Sequence, residues 1–116
     1  NCFFPTQRIK VTGFITGVDT SNLIVRAIVF KKPPSMTSAP VGVDGRFSID
    51  IDAGRVSLLL ADADSMEERG TFVFRRPDGS MTTSVLLKSD LVMPPATIDK
   101  KGNIIVDMSG NPNLSE

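Results

Sequence analysis

Two pairs of carboxylates, Asp50 with Asp52 and Asp62 with Asp64, come nearest in type and spacing to a chemical site. Residues two apart in a strand project to the same side. Each pair would therefore present two hard oxygen donors together, the donor type that suits Ca²⁺. If the two strands were neighbours, the four groups would form one acidic cluster. No Asp-x-Asp-x-Asp-Gly loop accompanies them, and Ala63 divides the second pair. The plainer reading is solvated carboxylates at sheet edges, where charge discourages edge-to-edge pairing. We assign no metal to them.

Other chemistries lack their residues. The 116-residue chain has no His, Trp or Tyr, and one Cys. Without His there is no Ser-His-Asp or Cys-His arrangement and no His-ligated metal. One thiol makes neither an intrachain disulfide nor a Cys-rich zinc site. Thr82, Thr83 and Ser84 cluster, but a hydroxyl nucleophile needs a base, and no Ser-Lys signature is present. A carboxylate pair acting on a glycoside needs a deep cleft, which a domain this small rarely encloses. The sequence therefore reads as no enzyme and no cofactor protein. Lys plus Arg is 13 and Asp plus Glu is 13, a balance without the basic footprint of a nucleic-acid binder. The doublets Lys31-Lys32 and Arg75-Arg76 read as ordinary surface charge.

Cys2 is a candidate for lipid acylation and hence a membrane tether, although Asn1 ahead of it argues against that. Asn1 in place of Met is expected of a processed or truncated piece. Phe3 and Phe4 could dock on a neighbouring domain, and Asn113-Leu114-Ser115 is a formal glycosylation triplet. No run approaches the ~18 apolar residues of a membrane helix.

The elements that must position these groups are strands. Over 9–15, Ile9, Val11, Gly13 and Ile15 alternate with polar residues, the period-2 pattern of a half-buried strand. In a second strand over 23–30, Arg26 puts the Ile24-Arg26-Ile28 side toward partial solvent and leaves Leu23, Val25, Ala27 and Val29 as the buried face. Residues 31–40, with Pro33, Pro34 and Pro40, read as a surface crossing. Asp44-Gly45 predicts a two-residue hairpin turn, after which Phe47, Ile49 and Ile51 alternate with Ser48, Asp50 and Asp52. The near-continuous apolar run 56–61 suits a central strand, and 64–69 suits one helical turn. Further strands are expected over 71–75, 82–87 and 104–106, with an extended stretch at Pro94-Pro95. About seven short strands at this spacing predict an all-β sandwich. Val11, Val25, Ala27, Val29, Phe47, Ile49, Ile51, Val56, Leu58 and Leu60 should share its core. The domain is expected over 8–108, with an N-terminal extension at 1–7 and a tail at 109–116.

Four stretches carry a resemblance. They are Val11-Thr12-Gly13-Phe14-Ile15-Thr16-Gly17, Val25-Arg26-Ala27-Ile28-Val29, Val43-Asp44-Gly45-Arg46-Phe47-Ser48-Ile49 and Asp52-Ala53-Gly54-Arg55-Val56-Ser57-Leu58. Together they resemble a carboxypeptidase regulatory-like domain, the prealbumin-like (transthyretin-like) family. Val56 stands where that family usually has an aromatic, and Asp62-Ala63-Asp64 where it often has a Gly-aromatic pair. The resemblance implies a seven-stranded antiparallel β-sandwich of Greek-key type, with the Asp-Gly-x-Phe aromatic plugging one end of the core. It also implies a non-catalytic binding or structural module of a secreted or cell-envelope protein. The expected partner is another protein or another domain of the same chain. The alternatives are a carbohydrate-binding module and a small-ligand carrier formed by dimerisation. The first lacks the Trp and Tyr that sugar platforms favour.

Overall fold

The computed structural model describes residues 7–108. Cys2, Phe3, Phe4, the Asn113-Leu114-Ser115 triplet and the 109–116 tail lie outside them. The strands are β1 (Arg8–Thr16), β2 (Leu23–Val29), β3 (Ser35–Pro40), β4 (Arg46–Asp52), β5 (Gly54–Asp62) and β6 (Glu68–Arg75). β7 (Met81–Thr82), β8 (Ser84–Leu87), β9 (Leu91–Val92), β10 (Ala96–Thr97) and β11 (Asn103–Asp107) follow. The described residues contain no helix.

Two sheets enclose one core. In the smaller, β1 lies between β4 on one flank and the successive short strands β9 and β10 on the other. The larger runs β11-β6-β5-β2-β3, with β7 on β6 and β8 on β5. All ten residues expected in the core are buried in a single cluster, joined by Phe72, Phe74, Leu87, Leu91, Ile104 and Met108 among others. Alternation is the cause: each inward row is apolar, and the two rows meet face to face.

The all-antiparallel, seven-stranded expectation needs correction. β1 pairs in parallel with β9 and β10, and β6 pairs in parallel with β11. Residues 88–98 leave the larger sheet and run beside β1 in its own direction. Pro94-Pro95 splits that run, because proline offers no N–H to the ladder. Residues 35–40 are also a strand. It is an edge strand paired with β2 alone, where a terminal proline such as Pro40 is tolerated.

One turn recurs three times, over 42–46, 76–80 and 99–103. In each, the fourth residue's amide donates to the first residue's carbonyl, and the first residue's amide donates to the fifth's carbonyl. The fourth residue is Gly45, Gly79 or Gly102, at φ +91°, +90° and +86°. This is the three-residue loop with a left-handed glycine, so the two-residue turn expected at Asp44-Gly45 is corrected by one residue. Nor does that turn join two strands of one sheet. It carries the chain from β3 in the larger sheet to β4 in the smaller, and 99–103 carries it back from β10 to β11.

The helical turn expected over 64–69 lies earlier, as a single α-turn over 62–66 that is not continued. The Asp62 carboxylate accepts the amides of Asp64 and Ser65, and the Asp62 carbonyl accepts the Met66 amide. Met66 then takes φ +63°, which reverses the chain, and β6 starts at Glu68.

Candidate functional site

The four carboxylates singled out in the sequence do not come together. Asp50 and Asp52 lie on β4 in the smaller sheet, and Asp62 ends β5 in the larger. β5 has 9 residues, and at about 3.3 Å per residue it carries the chain roughly 26 Å from the Asp52 end of the strand to the Asp62 end. Asp52 takes the Lys31 ammonium at 2.6 Å and the Arg8 guanidinium at 2.9 Å. Lys31, then Arg8, holds its carboxyl below the usual carboxylate range. Asp62 is held low by the amides of Asp64 and Ser65 and then by Arg69 at 3.1 Å. Asp64 accepts from the Asn22 amide at 3.0 Å. Asp50 is exposed on the outer face, opposite Lys10. These bonds tie the chain to itself, and they divide the four groups between two ends.

At the smaller sheet, a shallow groove of about 390 Å³ lies beside Gly13 and reaches Phe47 and Met93. Phe14, Val92 and Pro95 edge it. A Cβ at residue 13 would lie 2.7 Å from the Phe47 ring and 2.9 Å from the Met93 methyl, so glycine there makes room for these buried side chains beneath β1. The Arg46 guanidinium sits 5.5 Å from the Phe14 ring centroid, a cation–π contact. It therefore occupies a ring face on which a sugar would stack.

The larger sheet's outer face has a different character. Ile24, Ile28, Leu59, Val73 and Leu86 are half-buried there, with Met36 and Ile105 more exposed. Cross-strand register makes them neighbours: Met36 faces Ile28, and Val73 faces Ile105. The corresponding positions on the smaller sheet are Arg8, Lys10, Thr12, Arg46, Ser48 and Asp50, with Phe14 and Val92 as its apolar members. A two-layered protein normally keeps both outer faces polar. On the larger sheet half-buried aliphatic side chains are set among Arg26, Ser38, Arg55, Ser57 and Thr71, an apolar content that marks a surface a partner would cover.

Arg26 stands in the middle of the apolar face. It lies between Ile24 and Ile28 along β2, opposite Leu59 on β5 and Ser38 on β3. It is half-buried, and its guanidinium has no hydrogen bond or ion pair among the described residues. Arg55, on the same face, donates to the Ser84 hydroxyl at 3.3 Å.

No family model matches the chain, and no curated protein matches it. A solved structure of a DUF3823 family protein from Parabacteroides merdae aligns with 88% of this chain and 47% of its own, at 17% identity and a TM-score of 0.42. This chain thus spans about half the length of that protein.

The sequence reading turned Ile24, Arg26 and Ile28 toward partial solvent, as found, but did not see that Leu59, Val73 and Leu86 share their face. A signal was present. Residues 56–61 are apolar at nearly every position, so both faces of that strand are apolar. A two-layered sandwich buries only one of them.

Proposed function

We propose that this chain is a non-catalytic interaction module that docks on another protein or domain through the outer face of its larger sheet. The observation that carries the reading is the set of half-buried aliphatic side chains on one outer face, Ile24, Ile28, Leu59, Val73 and Leu86. The other face has mainly Arg8, Lys10, Thr12, Ser48 and Asp50 beside Phe14 and Val92. Covering half-buried apolar side chains gains about 25 cal/mol for each Å² removed from water. The non-catalytic part of the reading is supported by the absence of His from the chain and by the separation of the four carboxylates. A carboxypeptidase regulatory-like, prealbumin-like ancestry is supported by the Asp44-Gly45-Arg46-Phe47 turn, which plants Phe47 in the core. The secreted or cell-envelope setting rests on that likeness alone.

Site-specific photocrosslinking in the producing cells tests the reading. A photoreactive residue at position 59 should give one discrete adduct, identified by mass spectrometry, while the same group at position 48 on the opposite outer face gives none. Equal labelling from both positions, or none from 59, would sink it.

A further inference from the structure

The interaction face named above, on which this inference rests, also states what its partner must carry. We infer that the partner is a protein surface presenting a carboxylate, Asp or Glu, within an apolar setting, and that this carboxylate pairs with Arg26.

The argument starts from what covering the face would do to Arg26. Its guanidinium is hydrated while the face is open, and it has no partner within the described residues. Ile24 and Ile28 flank it along its strand, and Leu59 faces it across β5. A purely apolar partner would strip water from an unpaired cation, a cost of several kcal/mol for an ion left without a counter-charge. A partner that supplies an acceptor at that point avoids the cost, and a carboxylate meets guanidinium with two parallel bonds. A second copy of this chain fits poorly, because a two-fold contact centred on the face would set one Arg26 against the other. An anionic membrane fits poorly as well. Lipid surfaces select clusters of several basic residues, whereas Arg26 has Ile24, Ile28, Leu59 and Ser38 as its strand and cross-strand neighbours, in a chain of zero net charge.

Three amphipathic helical peptides test the inference, alike in a leucine-lined face and differing in one central residue of it: Glu, Gln or Lys. Binding to the ¹⁵N-labelled full chain is followed by NMR shifts. The Glu peptide is expected to bind roughly tenfold or more tightly than the Lys peptide, with shifts centred on residues 24–28, 59 and 73. Arg26→Glu should reverse that order while leaving the fold's spectrum in place. If all three peptides bind this face alike, the carboxylate partner is wrong and the docking face stands. If no peptide shifts these residues, both fall. Concentration-dependent dimerisation abolished by Leu59→Arg would overturn the inference in favour of a second copy. Arg26-dependent binding to phosphatidylserine vesicles would overturn it in favour of a membrane.

Discussion

The Phe47 ring meets the Phe72 ring edge-on, with centroids 5.9 Å apart and planes at 69°. One ring comes from each sheet, so this contact fastens the two layers where Gly13 leaves room for Phe47. Edge-to-face pairs add to what burial alone contributes. Phe47→Ala should therefore cost about 3–5 kcal/mol of a total that is ~5–15 kcal/mol for a small domain. Ser48→Ala, one residue on and exposed, should change stability by less than ~0.5 kcal/mol. Denaturant melts of the two variants check this, and equal losses would show that β4 is not held in this register.

Gly45 and Gly79 have the same backbone conformation in very different surroundings. A Cβ at Gly45 runs into the Ile15 carbonyl oxygen, whereas a Cβ at Gly79 meets nothing within 4 Å. Gly79→Ala should carry only the left-handed strain, about 1–2 kcal/mol. Gly45→Ala should lose a further ~1–3 kcal/mol through the steric conflict. Thermal melts that rank the two alike would mean that the β1–β4 pairing does not extend to this turn.

Asp52 makes acid stability measurable at one residue. Its pKa is depressed in the folded chain by Lys31 and then Arg8, from an unfolded value of about 3.9. The unfolded state therefore takes up the proton first as pH falls. The stabilisation is complete above that value and is lost as pH drops through the lower, folded one. Asp52→Asn should lower stability near neutrality and flatten the decline below about pH 4. Asp19, Asp62, Asp78 and Asp99 are also held low, so part of the decline should persist. Urea midpoints across acid to neutral pH give the comparison; an unchanged acid limb in Asp52→Asn would contradict the pairing.

Calcium should leave the melting midpoint where it is. A ligand of the native state must stabilise it in proportion to occupancy, and Asp50, Asp52, Asp62 and Asp64 are divided between two ends. A rise in midpoint at millimolar Ca²⁺ that disappears in Asp62→Asn would require a site the described residues do not form.

Strands whose faces differ were legible in the residues. β1 and β4 announce themselves because apolar side chains recur at every second position, β2 and β5 as nearly unbroken apolar runs, and the positive φ of Gly45 follows from its turn. β3 was hidden by its prolines, which exclude a central strand but not an edge. β9 and β10 are two residues each, too short for any period to register, and their parallel partner is fixed by tertiary packing alone. The acidic pairs were visible as residues, but their separation depends on which sheet each strand joins. That is decided by turns that change sheets, and nothing local in Asp44-Gly45 states it.

The pairing of β1 with β9 and β10 also sets the order in which the chain can finish. Lys10 and Asp90, like Thr16 and Ala96, touch across 80 positions of sequence. At a synthesis rate of roughly 5–20 residues per second, one flank of β1 waits about 4–16 s for its cover. Throughout that interval it presents an unpaired row of amides and carbonyls, the template on which foreign strands add. Non-local closure of this kind is also slow once the chain is complete. A chain stopped short of Leu91 would keep that flank open for good, and aggregation during translation, rather than loss of native stability, would be its first symptom.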